Sequence, residues 1–361
     1  MSKICYTGTM SDVVTLAKDP VASAKEAGLR YFHESQLTIR RFKRGEGFYY
    51  LDKQDQKVTD PETLERIQSL VLPPAWTDVV ISPVANSHLQ AIGVDEKGRK
   101  QYRYHPGWNK FRDETKYEKM IEFGESLPKI RRQIADDISR QGLPREKVLA
   151  TIAKLLEKTM IRVGNEQYVQ ENKSYGLTTL RNRHVEVGST KVTINFKGKS
   201  GQFHTIELED RRLARLIGKL QDLPGQNLFQ FIDDDDNLHT IDSADVNAYI
   251  QEAAGAEFTA KDFRTWRGTV LAALLLAGCD RCDSEMENKK LISQVVKEVA
   301  AELGNTPTVC RKCYIHPVVI ESFIVGDELA ISEVNVIEID TIGLLPEEEI
   351  VLQFLKKKST A

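Results

Sequence analysis

The sequence predicts an α+β protein: a small β-rich N-terminal domain followed by a larger, mainly helical domain with a short β-sheet. Three observations carry this. Between residues 37 and 104, alternating apolar and polar residues are interrupted by glycine-bearing turns, the mark of hairpins. Beyond Trp108 the apolar residues recur at helical spacing, most clearly at Val148, Ile152, Leu155 and Leu156 with Thr159. Short strand-like runs then return around tight turns between residues 176 and 208. At 361 residues the chain has room for two or three domains and a sizeable core.

The first 22 residues show little pattern, and 23–31 reads as a short helix with Ser23 at its N-cap. Residues 37–44 and 48–51 read as two strands around Gly45 and Gly47, with Arg40, Arg41, Lys43 and Arg44 clustered on the first. A helix starts at Pro61 and runs to residue 70, and 79–82 is strand-like. Residues 88–93 and 100–104 frame a second hairpin whose turn is Asp-Glu-Lys-Gly over 95–98. Alternation puts Gln101 and Arg103 on one face of its far strand, and Tyr102 and Tyr104 on the other. A ribbon of this width fits the major groove of a duplex, and the same text suits an ordinary solvated edge hairpin.

Pro106-Gly107 breaks the pattern, which places a domain boundary near Trp108. The expected organisation is an N-terminal domain over 1–108, a second domain over 109–323 and a tail over 324–361. The second domain opens with helices over 115–123, 128–140 and 148–159. Strands are expected at 176–180, 185–187, 192–196 and 204–208, the last two joined by a Lys-Gly-Lys-Ser-Gly turn. A helix at 211–220, a strand at 228–232 and an acidic loop at 233–236 follow. Helices then occupy 243–253, 261–279 and 289–303, and the tail mixes strand-like and acidic text.

Composition narrows the functional classes. Hydrophobic content of 41% and charged content of 29% suit a soluble globular protein. The longest apolar run, 270–279, is about half of a membrane span, and the N-terminus lacks the apolar core of a signal peptide. Five cysteines, an odd number, fit a reduced, cytosolic setting. Net charge is only −3, but it is unevenly spread: +3 over 1–110, +6 over 111–200, −7 over 201–290 and −5 over 291–361. A basic first half is compatible with a phosphate backbone as partner.

The chemistry centres on Tyr314, which ends the run Asn-Thr-Pro-Thr-Val-Cys-Arg-Lys-Cys-Tyr over 305–314. A phenol with a pKa near ~10 is a poor nucleophile in water, but among cations it can attack an electrophile and hold it covalently. Breaking a phosphodiester without a metal needs three things: a nucleophile, cations for the charge on the non-bridging oxygens, and an acid for the leaving oxygen. Arginine suits the second role through its permanently charged planar fork. Arg162 lies where a helix gives way to a loop, and Arg264 heads a strongly apolar helix. Lys199 sits at a turn tip, and Asn305 is an uncharged donor nine residues before Tyr314. Each alone also reads as a surface arginine, a helix-end ion pair, a turn lysine or a capping asparagine.

Together and in order, these settings resemble type IB DNA topoisomerases of the small poxvirus-like bacterial kind. The resemblance rests on Gly-Arg-Lys-Gln-Tyr-Arg-Tyr (98–104), Ile-Arg-Val-Gly-Asn (161–165) and Tyr-Gly-Leu-Thr-Thr-Leu (175–180). It rests equally on Phe-Lys-Gly-Lys (196–199), Lys-Asp-Phe-Arg-Thr (261–265), and Leu-Gly-Asn-Thr-Pro (303–307) running to Tyr314. It covers roughly residues 35–325. It implies Tyr314 as nucleophile forming a 3′-phosphotyrosyl bond, and Lys199, helped by Arg162, as acid to the departing 5′-oxygen. Arg162 and Arg264 would clamp the phosphate, with Asn305 where many relatives have histidine. Gln101, Tyr102 and Tyr104, with Arg99 and Lys100 of the same strand, would contact double-stranded DNA, and Tyr168 its backbone near the site. The resemblance further implies a monomer in the bacterial cytoplasm, at the nucleoid, closing two lobes round DNA as a C-shaped clamp. It implies no cofactor, no ATP and no obligatory metal.

Two features stand outside this reading. Cys279-x-x-Cys282 and Cys310-x-x-Cys313 are two pairs of zinc-ligand type, 27 residues apart, a gap longer than structural zinc sites use. Asp233–Asp236 reads as a solvated loop. Two other functions compete. A tyrosine site-specific recombinase shares the five-residue chemistry but should show His-x-x-Arg before the tyrosine and a helical N-terminal domain; this chain has neither. A non-enzymatic DNA-binding protein would leave the five residues unexplained.

Overall fold

The structure, a computed structural model, describes residues 20–96, 98–233, 235–282, 284–327 and 342–359. The chain divides between Tyr117 and Glu118 into two compact units.

The first unit is built on a five-stranded antiparallel sheet. Its strands are β1 (Ile39–Arg44), β2 (Gly47–Leu51), β3 (Thr77–Ile81), β4 (Leu89–Val94) and β5 (Lys100–Tyr104), in spatial order β2-β1-β3-β4-β5. Arg44 pairs with Gly47 around the two-residue turn that Gly45, at φ 59°, makes possible. One sheet face buries Ile39, Val79, Ile81 and Ala91 against Ile67 of helix α2 (Pro61–Ser69) and Leu70, which caps its end. That helix starts as the sequence requires: Pro61 occupies its first turn and Asp60 accepts from the Thr63 amide at 2.8 Å. The other face buries Phe32, Leu37, Leu89 and Ile92. Helix α1 is shorter than expected and earlier, Pro20–Glu26, because Gly28 turns the chain and Arg30 bridges to Ser87.

Helix α3 corrects the expected break at Pro106 and the two separate helices after it: it runs unbroken from Pro106 to Ser139. Pro106 stands in its first turn, where no amide is needed. Pro128 lies within it, opposite Gly124 one turn earlier, where even a methyl group would lie 2.6 Å from the Trp266 ring.

The second unit is mainly helical. Helix α4 (Arg145–Thr159) is its centre, with Val148, Ile152, Leu155 and Leu156 all buried. Around it lie α5 (Glu166–Asn172), α6 (Arg211–Gln221), α7 (Ser243–Ala254), α8 (Ala260–Ala277), α9 (Glu285–Glu302), α10 (Pro307–Cys313) and α11 (Pro317–Val325). A three-stranded antiparallel sheet, β6 (Val185–Val187), β7 (Lys191–Lys197) and β8 (Phe203–Glu209), has the order β6-β7-β8. The strand expected at 176–180 is instead a 3-10 turn, Leu177–Thr179, because Gly176 and its neighbours bond to the segment after α4 rather than to a sheet. The strand expected over 228–232 is confined to β9 (Gln230–Ile232), which pairs with β10 (Leu238–Thr240).

The tail holds a further correction. Residues 324 and 325 finish α11, residues 328–341 lie outside the described residues, and 346–359 is not strand-like but a helix, α12 (Pro346–Ser359). Three glutamates in its first turn and three lysines in its last complement the helix dipole. It docks through Glu348, which takes a bidentate pair from Arg131 (2.8 and 2.9 Å) and a bond from the Trp266 indole (3.1 Å). Arg131 also meets Glu157. Burial opposes the Glu157 charge, yet Arg131 holds its carboxyl below the ordinary range. Removing one member of such a buried set costs ~3–5 kcal/mol, since the others are left charged without a partner.

Candidate active site

Four of the five predicted residues converge in the second unit, and the local chain explains why. Helix α4 ends at Met160, whose left-handed conformation (φ 54°) turns the chain into an extended segment. That segment, carrying Arg162, is tied to the 3-10 turn by two bonds: Leu177 amide to Arg162 carbonyl (2.9 Å) and Thr178 amide to Val163 carbonyl (2.7 Å). The backbones approach so closely that a Cβ on Gly176 would sit 2.5 Å from Gly164 Cα. This contact gives the two glycine-bearing motifs at 161–165 and 175–180 their physical reason.

Arg264 lies on the first turns of α8, 4% exposed. Its guanidinium donates to the carbonyls of Met160 and Leu303, and its Cζ lies 5.3 Å from the centre of the Tyr314 ring. Arg162 donates through Nη2 to the Gly304 carbonyl (3.0 Å) and to Asn305 Oδ1. Burial lowers the pKa of both arginines. For Arg162 the neighbouring Arg264 charge adds to the effect, while the Tyr314 phenol opposes it in both. Both remain charged at neutral pH, given an intrinsic pKa above ~12.

Tyr314 follows α10, its amide bonded to the Cys310 carbonyl at 2.9 Å. Its carbonyl accepts from the Thr269 hydroxyl at 3.4 Å, and a Cβ on Gly268 would stand 2.5 Å from that oxygen. Gly268 and Thr269, one turn beyond Arg264 on α8, therefore fix the tyrosine against the helix that carries the arginine. Sequence reasoning missed both; the signal was a small residue interrupting the bulky face of an apolar helix.

Two donors here have no partner. Arg264 Nε and Asn305 Nδ2 are buried and make no hydrogen bond. An unsatisfied buried donor costs ~1–3 kcal/mol, which an anion entering the site would recover. None of the hydrogen bonds or ion pairs of Arg162 and Arg264 within the described residues goes to a carboxylate. The arrangement brings together two cations, a neutral amide and a phenol, with two buried donors unpaired, a set that suits a tetrahedral oxyanion such as phosphate.

Lys199 is exposed on the 3-10 turn Lys199–Gly201 between β7 and β8. The base of its hairpin is anchored by Tyr175 amide to Lys197 carbonyl (2.8 Å), next to the Gly176 turn. Of the groups expected to meet DNA, Arg99 and Gln101 bond to Asp95, at 2.8 and 3.0 Å. Lys100 and the Tyr102 hydroxyl both meet Glu34, the latter at 2.8 Å. Tyr102 and Tyr104 share a strand face, with rings stacked 6.1 Å apart. Tyr168 projects from α5, 55% exposed. The Cys310 thiol is pushed up to about 11 by burial, which keeps it protonated. Among the described residues no cluster of three or more His, Cys, Asp or Glu side chains is placed to hold a metal ion.

Comparison with known proteins decides the family. A family model described as the catalytic core of eukaryotic DNA topoisomerase I matches residues 105–327, more than half of the chain. The chain belongs to the type IB DNA topoisomerases. A second model, the N-terminal domain of bacterial DNA topoisomerase IB, matches residues 47–95. DNA topoisomerase 1B of Acanthamoeba polyphaga mimivirus is 35% identical over 306 residues, covering 82% of this chain and 90% of the relative. The vaccinia virus (strain Copenhagen) enzyme is 24% identical over 73% of this chain and 82% of its own length. DNA topoisomerase 1 of rabbit fibroma virus is 27% identical over 84% of this chain and 95% of its own. The protein is thus an isomerase of a family that acts on DNA, which sets aside the recombinase and non-enzymatic readings. No helix among the described residues is long and apolar enough to cross a membrane.

Proposed function

We propose that this topoisomerase relaxes positive and negative supercoils through a 3′-phosphotyrosyl intermediate on Tyr314. The phenolic oxygen attacks the scissile phosphorus, losing its proton to solvent, as the bond from phosphorus to the 5′-oxygen breaks. Lys199, at the exposed turn tip, gives a proton to that leaving oxygen, helped by Arg162. Arg162, Arg264 and Asn305 hold the non-bridging oxygens, where charge grows in the transition state. The free 5′ end swivels, then attacks the phosphotyrosine in the reverse reaction. The phosphotyrosyl link conserves the bond energy, so no ATP and no obligatory metal are needed.

One observation carries this reading: the Tyr314 ring lies against Arg264 while Arg264 Nε and Asn305 Nδ2 stay buried and unbonded. The N-terminal unit supplies the duplex contacts, through Gln101, Tyr102, Tyr104, Arg99 and Lys100, and Tyr168 adds one from the catalytic unit. The units close on DNA as a C-shaped clamp formed by a monomer, in the bacterial cytoplasm at the nucleoid.

The test is relaxation of supercoiled plasmid in EDTA without ATP. Wild type should remove supercoils of both signs, and Tyr314→Phe should remove neither and form no covalent adduct. A Tyr314→Phe protein that relaxed plasmid would place the nucleophile elsewhere.

A further inference from the structure

His204 was singled out by nothing in the sequence, yet it sits where the two halves of the site meet. It is the third residue after Gly201, on β8, and pairs directly with Phe196 of β7, its ring stacked on the phenyl at 5.1 Å. Two glycines face its imidazole. A Cβ built on Gly198 would lie 2.7 Å from its Cδ2 and Nε2, and one on Gly304 would lie 2.8 Å from its Cε1. Gly198 precedes Lys199, and Gly304 precedes Asn305 and offers its carbonyl to Arg162. The ring therefore fills the gap between the hairpin that carries Lys199 and the turn that carries Asn305.

We propose that His204 is a positioning residue for the cleavage reaction, a rigid spacer that sets how far Lys199 stands from the phosphate held by Arg162, Arg264 and Asn305. This rests on the assignment of Lys199 as the proton donor. The shape of the contact supports it: a flat ring against two backbones lacking Cβ leaves little freedom to either loop. Gly198 has an ordinary backbone conformation (φ −91°), so contact with the ring, not backbone strain, is what excludes a side chain there. Charge supports it as well. Burial, then Arg162 and Arg264, lower the imidazole pKa, so the spacer is neutral and does not compete with the phosphate for the arginines. Phe203 beside it is 84% exposed, so the strand presents only the histidine inward at this level.

The inference separates from a general structural role by the nature of the leaving group. A displaced lysine matters only if the leaving oxygen needs a proton. Sulfur in place of the bridging 5′-oxygen leaves as a thiolate, because a thiol pKa near ~8.5 makes protonation unnecessary. Single-turnover cleavage is measured on a duplex with oxygen and on one with sulfur at that position. His204→Ala should slow the oxygen substrate by roughly 10–100-fold, the scale of a ~1 Å misplacement. It should cleave the sulfur substrate at nearly the wild-type rate. Gly198→Ala, which drives a methyl into the ring, should give the same selective loss, and should cost less in a His204→Ala background than alone. Equal losses on both substrates, or none on either, would overturn the proposal. Lys199→Ala is measured beside them. If sulfur does not rescue it, Lys199 is not the donor and both readings fall together. If sulfur rescues Lys199→Ala but not His204→Ala, the spacer role alone is lost.

Discussion

In the N-terminal unit Arg99 and Lys100, two of the cations expected to meet DNA, are paired with carboxylates; around Tyr314, Arg162 and Arg264 are held by main-chain carbonyls and one amide. Lys100 and Tyr102 share Glu34 at the surface, and Arg99 and Gln101 share the half-buried Asp95. Arg162 and Arg264 instead donate to Gly304, Met160, Leu303 and Asn305, with donors to spare. A carboxylate neutralises a cation and competes with phosphate for it. A carbonyl orients the cation and leaves its charge in place. On the proposed function, the first arrangement would let a duplex exchange one anion for another at low cost. The second would be built in advance for charge that appears only during reaction, which is where electrostatic preorganisation contributes most.

The sharpest way to break this contrast is to remove an oriented cation. Arg264→Ala should lower the single-turnover cleavage rate by about 10²–10³, with duplex affinity changed far less. Arg264→Lys should recover little, because an ammonium cannot reach two carbonyls and a phosphate at once. Comparable losses in rate and in affinity would mean that Arg264 behaves like a surface contact.

Asn305→Ala should cost less, ~10–100-fold in rate, the worth of one or two hydrogen bonds to charged groups. Asn305→His, which restores a donor, should stay within several-fold of wild type. An alanine variant with full activity would show that the vacant Nδ2 is not aimed at substrate.

The smallest expected effect lies in the N-terminal unit and runs in the opposite direction. Glu34→Gln should tighten duplex binding a few-fold and steepen its salt dependence by up to about one unit, since Lys100 becomes available to a phosphate. Lys100, then Tyr102, hold the Glu34 carboxyl below its ordinary value. The contact is therefore complete above the usual glutamate pKa near ~4.3 and is lost as pH falls through the lower folded value. Wild-type affinity should rise over that acid window more than Glu34→Gln affinity does, as read by duplex anisotropy titrations. Weaker binding by Glu34→Gln would make Glu34 a support for the strand rather than a competitor.

Much of this was legible in the chain. Period-two alternation placed Tyr102 and Tyr104 on one face, and the apolar stripe from Val148 to Leu156 gave the buried centre of the second unit. Ordered motifs named the residues around Tyr314. What stayed hidden was set by partners distant in sequence. His204 gains its place from Gly304, and Glu34 gains its place from a strand some sixty residues later. Pro106 and Pro128 looked like breaks because a proline's tolerance depends on where the first turn falls and on what faces it. The C-terminal helix was missed, although its signal was present: a proline followed by three glutamates, with three lysines a few turns on, is a helix with its dipole complemented at both ends.

That last helix also gives the molecule a direction in time. Trp266, two residues past Arg264, waits for Glu348, which is 82 residues further along the chain. At ~5–20 residues per second a ribosome needs roughly 4–16 s to make that stretch. Until then Arg131 lacks its bidentate carboxylate, and the helix bearing Arg264 lacks one of its walls. The packing behind Arg264 is thus complete only once Glu348 has been made.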